Sequence, residues 1–217
     1  MSDVQPEGYL ALPAHGNGKA VLVLHAWWGL NDSIKTFCNR LSDSGYVAFA
    51  PDLYHGNVTD QIAEAEVLGA ALDGEVDQAR ADLAESIAFL RQHGRADESG
   101  LAVIGFSLGA YYALDLSVNH PEVIRAVVLF YGTGSADFSQ SQASYLGHFA
   151  GDDVYEPQAN VDALEKSLRD TGRAVTFYRY DGTGHWFFEP DRVQAYDAEA
   201  SRLAWERTLG FLQDFPA

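Results

Sequence analysis

The stretch LAVIGFSLGAYY, residues 101–112, decides how the rest of the chain is read. It opens on an apolar run of strand formers, Leu101 to Ile104. It turns through Gly105-Phe106-Ser107-Leu108-Gly109 and continues as Ala110, Tyr111, Tyr112, Ala113 and Leu114, a helical composition. Strand, G-x-S-x-G and helix in that order are the context of a nucleophile elbow, in which a sharp turn holds a serine out at the top of a sheet. So tight a turn has no room for side chains two residues either side of the serine, and Gly105 and Gly109 stand there. The helix behind the serine begins with unsatisfied N–H groups and the positive end of its dipole, both suited to a developing oxyanion. The five-residue string alone is weak, since a structural serine on a strand–turn–helix satisfies it equally. The flanking elements give it weight.

Working outward, the segments before the elbow alternate. Residues 9–13 read as an edge strand ahead of the turn His15-Gly16-Asn17-Gly18, and residues 20–25 (AVLVLH) as a strand apolar on both faces, as in a parallel sheet. After the loop AWWGLN, residues 26–31, a helix follows. It carries Ile34, Phe37, Cys38 and Leu41 on one stripe, with Asp32 or Ser33 as its cap and Cys38 as core filler. Gly45 stops that helix, residues 46–50 form the next strand, and residues 51–56 leave it. Residues 60–72 and 75–93 read as helices, the second ending on Arg91-Gln92-His93-Gly94.

Beyond the elbow, residues 123–131 and 144–150 are strands separated by a Gly/Ser/Gln-rich loop. Val161, Leu164 and Leu168 mark a helix, and residues 174–180 the last strand. A closing helix spans roughly residues 193–213, with Trp205, Leu209 and Leu212 on its face. This alternation predicts an α/β fold over residues 1–217 as one domain: a doubly wound, mostly parallel sheet with helices on both faces. Ligands of such sheets bind at the carboxyl ends of the strands, here loops 26–31, 51–56, 105–109, 132–143, 151–157 and 181–189.

Composition narrows the function. A formal net charge of -17 over 217 residues argues against nucleic acid and against anionic membrane surfaces as partners. One cysteine, Cys38, permits no internal disulfide. The opening MSDVQPEGYLALP has neither a basic nor an apolar leader region, and no apolar run approaches the length of a membrane span. The expectation is a soluble cytoplasmic protein.

A serine hydroxyl needs a base, and the base needs a carboxylate to orient it. On this type of sheet the order along the chain is serine, acid, histidine. Of the seven histidines, only His148 and His185 follow the elbow in a plausible place. His148 lies within a strand. His185 lies in a glycine-flanked loop after a strand, free to reach over the sheet, and is the expected base. Asp152 and Asp153 leave the intervening strand, and one of them is the expected acid, since two carboxylates in the site would repel. A metal reading through Asp152, Asp153, His185 and His148 lacks any paired-ligand spacing, so no metal is expected. The oxyanion requires two backbone N–H groups: that of Leu108, after the serine, and one from residues 26–28.

The segments VLVLHAWWGLN, SGYVAFAPDLYHG, GFSLGA, FAGDDVYEP, YDGTGHWFFEP and ERTLGFL together resemble the dienelactone hydrolase family of the α/β-hydrolase superfamily. The resemblance covers most of the chain and implies an α/β-hydrolase fold, with Asp153 rather than Asp152 as the acid, His185 as the base and Trp27 as the second oxyanion donor. Founding members of that family carry a cysteine nucleophile and a glutamate in the first loop; this chain has Ser107 and Ala26. The two changes agree, because a thiol ionises and is worth controlling with a carboxylate, whereas a serine hydroxyl does not ionise at neutral pH. The family's substrate-holding arginine shortly after the histidine is also missing: that stretch is Trp186-Phe187-Phe188-Glu189.

The expected activity is therefore hydrolysis of small carboxylic esters or lactones through an acyl-enzyme, with no cofactor. Trp28, Tyr54, Phe187 and Phe188, beside Trp27, are the expected apolar substrate contacts. The alternatives are a thioesterase or small peptidase using the same three residues, or a binding protein that kept the fold and lost turnover. The assembly is expected to be a monomer or homodimer.

Overall fold

Strand formers in short runs and amphipathic stretches between them build the elements in the expected order. The computed structural model describes residues 5–93 and 100–214; Gly94, read above as a helix stop, and the first four residues lie outside them. The described residues fall into two units, one up to Leu101 and one from Ala102 onward.

In the first unit, β1 (Gly8–Ala11) is the edge strand. It pairs antiparallel with β3, while β2 (Ala20–Leu24) and β3 (Val47–Pro51) run parallel. Every residue of β2 and β3 is buried, as a strand covered on both faces requires. Helix α1 (Asp32–Asp43) buries Ile34, Phe37, Cys38 and Leu41, the stripe read from its spacing. Its cap is Asn31 rather than Asp32 or Ser33: Asn31 is the extended residue, and its side chain accepts the Ile34 N–H at 3.1 Å. Burial pushes the Cys38 thiol up to about 12, so it stays protonated and inert. Helices α2 (Ile62–Gly74) and α3 (Val76–His93) complete the unit.

The second unit carries the elbow. Its strands lie in the order β4 (Leu101–Phe106), β5 (Ile124–Phe130), β6 (Ser144–Ala150), β7 (Val175–Tyr180). The last three are parallel, with Phe130 opposite His148 and Ala150 opposite Tyr180. Helix α4 (Leu108–Asn119) follows β4, α5 (Gln158–Asp170) follows β6, and α6 (Ala198–Asp214) closes the unit. The loop after β5 contains one 3-10 turn, Phe138–Gln140.

Helix α6 starts later than its sequence suggests, because Asp197 caps it by accepting the Ala200 N–H at 2.8 Å. Its buried face also differs: Ala200, Ser201, Ala204, Thr208 and Leu212 face inward, and Trp205 and Leu209 are only half-buried. Small residues let the helix approach β6 closely, and the Thr208 hydroxyl reaches the Nε2 of buried His148 at 3.0 Å. His148 Nδ1 meets the Tyr180 hydroxyl at 2.9 Å. Burial lowers its pKa to about 3, so His148 is a neutral core residue and not a candidate base. Among the described residues, no helix is long and apolar enough to cross a membrane.

Candidate active site

The site starts at the junction of β4 and α4. Ser107 is the only residue between them, at φ 50 and ψ -110, a left-handed conformation that costs a side-chain-bearing residue energy and must be held from outside. Two backbone bonds hold it: its N–H donates to Phe130 O on β5, and its carbonyl accepts the Ala110 N–H, both at 2.9 Å. The glycines have their expected reason. A Cβ on Gly105 would lie 2.2 Å from the Gly109 carbonyl oxygen. Gly132, after β5, is needed likewise, since its Cβ would lie 2.4 Å from Ser107 O.

The Ser107 hydroxyl lies 3.0 Å from His185 Nε2. On the far side of the ring, His185 Nδ1 lies 2.7 Å from Asp153 Oδ2. The Asp153 carboxylate is buried, with 1% of its side chain exposed, and its other oxygen accepts the N–H groups of Tyr155 and Glu156 at 2.9 Å. A carboxylate so placed accepts a hydrogen bond from Nδ1–H and keeps the proton on that nitrogen, which leaves Nε2 to accept the serine O–H. Asp152 is exposed and only its backbone is engaged, donating to Thr183 O at 2.9 Å. Of the two aspartates, Asp153 is the one that meets the histidine.

Three rings surround the imidazole: Tyr131, Tyr155 and Trp186, with centroids 4.9, 5.3 and 4.9 Å from it. None was singled out in the sequence; Tyr131 stood only as the last residue of the strand read over residues 123–131. Glu156 was also missed. Its carboxylate accepts the Thr133 N–H at 2.8 Å and the Asn160 amide at 3.0 Å, tying the loops after β5 and β6 together.

The expected substrate contacts Trp28, Tyr54, Phe187 and Phe188 are all buried. Phe187 is fully buried against Tyr131 and Tyr180, centroids 5.6 and 5.0 Å away. Phe188 packs on Phe106 and Phe130 at 5.9 and 4.6 Å. Both rings are packed in the core of the second unit. In the first unit, Trp28 is buried and its carbonyl accepts the Thr59 N–H at 3.2 Å. Tyr54 meets His25 edge-on at 4.8 Å and borders a cleft of about 550 Å³ with Leu53, Leu68 and Leu72. Trp27 sits on the loop after β2. His25 pins that loop: its Nδ1 donates to Ala26 O at 2.8 Å and its Nε2 accepts the Leu53 N–H at 3.2 Å. Burial lowers the His25 pKa, consistent with a neutral ring in that role.

Among the described residues, no group of three or more His, Cys, Asp or Glu side chains could hold a metal ion. Leu108 is the first residue of α4, so its N–H is one of the free donors of the helix start.

The fold and the elbow define an α/β-hydrolase. The model of the dienelactone hydrolase family matches residues 7–215, and the chain belongs to that family. It is 29% identical over 219 residues to protein usf of Aquifex pyrophilus, covering 98% of this chain and 94% of that protein. It is 30% identical to a provisionally named carboxymethylenebutenolidase of Methylorubrum extorquens, covering 99% of this chain and 79% of that one. Among solved structures, the provisionally named dienelactone hydrolase of Klebsiella pneumoniae matches with a TM-score of 0.81 and 26% identity over 96% of this chain and 92% of that one. Family and relatives together make the chain a hydrolase.

Proposed function

We propose that the protein cleaves small, uncharged carboxylic esters or lactones through an acyl-enzyme on Ser107. The observation that carries this reading is the continuous hydrogen-bonded path from Ser107 Oγ through His185 to Asp153, at 3.0 and 2.7 Å. Ser107 Oγ attacks the ester carbonyl carbon as His185 Nε2 takes its proton. The resulting imidazolium is stabilised by Asp153 and returns the proton to the departing alkoxide oxygen. Water, deprotonated by the same Nε2, then attacks the acyl carbon, and Ser107 recovers its proton as the carboxylic acid leaves. The tetrahedral oxyanion is held by the Leu108 N–H and, as the family resemblance implies, the Trp27 N–H.

Substrate charge follows from what stands where the family's arginine would. Glu189 occupies that stretch, buried, in a chain of net charge -17. A carboxylate-bearing lactone would lose the family's arginine as counter-charge and meet a strongly negative chain, so neutral acyl groups are favoured.

Hydrolysis of p-nitrophenyl acetate, butyrate and octanoate at neutral pH, with the Ser107→Ala variant alongside, tests the reading. Turnover lost on substitution, with Ser107 labelled by a fluorophosphonate in the parent and not in His185→Ala, is the expected result. A folded parent that cleaves no ester or lactone and takes no label would overturn it.

A further inference from the structure

Behind the imidazole lies a second buried acid that the reaction above does not use. Glu189 is 3% exposed, and its Oε1 accepts the hydroxyl of fully buried Tyr131 at 2.6 Å. Tyr131 follows β5 directly, with its N–H on His148 O at 2.8 Å. Its ring packs on His185 at 4.9 Å and on Phe187 at 5.6 Å. Glu189 belongs to the turn that begins at His185, closed by its own N–H donating to Trp186 O at 3.0 Å.

Both segments joined by this contact carry a strained residue, Tyr131 at one end and Trp186 three residues before Glu189. Tyr131 and Trp186 have φ values of 38 and 65, left-handed conformations unfavourable for aromatic residues. Such strain persists where surrounding contacts over-determine it. One buried hydrogen bond joins the two segments in which it is stored.

We propose that the Tyr131–Glu189 hydrogen bond is a latch that positions His185: it fastens the turn carrying the histidine to the end of β5 and presses the Tyr131 ring against the imidazole. Tyr131 and Glu189 are positioning residues, and the claim rests on His185 acting as the base proposed above. The latch is also sensitive to pH. Burial, with the nearby Asp191 charge, raises the Glu189 pKa to about 8, while the Tyr131 hydroxyl bond and Arg192 oppose the rise. Tyr131, which also feels Glu189, Asp191 and Asp153, is held well above its ordinary value and stays a donor. Above that pH a negative charge appears one ring away from His185, and the geometry tuned for a neutral carboxyl is disturbed.

The variants Tyr131→Phe, Glu189→Leu and Glu189→Gln test this. The first two break the bond; glutamine keeps a carbonyl acceptor and removes the titration. Tyr131→Phe and Glu189→Leu are expected to lower kcat on the order of 10- to 100-fold with little change in KM, the signature of a misplaced base rather than of lost binding. Glu189→Gln is expected to retain kcat at pH 7 and to lose an inflection near pH 8 in the kcat profile.

A readout independent of turnover is the downfield proton resonance of His185 Nδ1–H bound to Asp153. It should be lost or shifted in Tyr131→Phe and kept in Glu189→Gln. Unchanged kcat and an unchanged resonance in Tyr131→Phe would overturn the latch, even with a lowered Tm. A parent that shows the resonance, loses it in Tyr131→Phe, and cleaves no ester would support the latch and overturn the proposed activity.

Discussion

An imidazole serves as a base only when its second nitrogen is fixed, and here one residue decides that. Asp152 and Asp153 are the same residue type, adjacent, on the same strand exit. They differ in where the backbone sends them. Asp153 Oδ1 takes two N–H groups of its own turn, from Tyr155 and Glu156 at 2.9 Å, which aims Oδ2 at His185. Asp152 points to water. Asp153→Asn should therefore cost several orders of magnitude in kcat: an amide nitrogen facing Nδ1 favours the wrong tautomer, as related variants show, with losses on the order of 10⁴. Asp152→Asn should remain within about 2-fold, as expected of an exposed substitution away from the reacting groups. Steady-state kinetics of the pair decides, and a comparable loss in both would remove Asp153 from the proposed role. The serine and the histidine were legible from order along the chain; order left the two aspartates open, and only the family resemblance pointed to Asp153. The rings on His185 and the acid behind it were not legible. Tyr131 and Glu189 meet only when β5 and the turn after β7 are brought together across 58 positions of sequence.

At the scale of elements, the elbow is the joint that must not move. Gly105 has no left-handed φ of its own; its role is to let the Gly109 carbonyl lie where a Cβ would be. Gly105→Ala is expected to destabilise by about 3 kcal/mol or more, since relief demands a shift of backbone rather than of a flexible side chain. Gly172→Ala, a left-handed glycine with nothing within 4 Å of its added Cβ, should cost only about 1 to 2 kcal/mol from conformation. Urea midpoints of the two variants separate steric from conformational cost, and equal losses would deny the elbow its special tightness. The glycines at the elbow were readable because a motif predicts them. The inward face of α6 was not. Its spacing offers Trp205, Leu209 and Leu212, yet Ala204 and Thr208 turn inward because β6 carries a buried histidine that needs the threonine hydroxyl. Hydrophobic periodicity weighs size and polarity, and a close-packed face made of small residues with one satisfied polar partner falls below its threshold.

For the whole molecule, two buried groups on the second unit set opposing slopes of stability against pH, and neither can be read from composition, because burial is a property of the folded chain. His148 drops from its ordinary 6.5 to about 3 in the fold. Between those values the unfolded chain holds the extra proton, so this contribution is intact above pH 6.5 and is lost as pH falls toward 3. Glu189 rises from 4.5 to about 8. Between those values the folded protein holds the extra proton, so stability falls as pH rises through that window. Each slope is on the order of 1 kcal/mol per pH unit. They cancel where they overlap, between the Glu189 lower bound of 4.5 and the His148 upper bound of 6.5. The self-repulsion of a net charge of -17 is also relieved as carboxylates protonate. Urea unfolding across pH should therefore show greatest stability on a mildly acidic plateau, with a decline toward pH 8 that Glu189→Gln flattens and an acid decline that His148→Gln softens. A maximum at pH 8 or above would mean that Glu189 is ionised without penalty in the fold. The apolar enclosure invoked for the latch behind His185 would then fail with it.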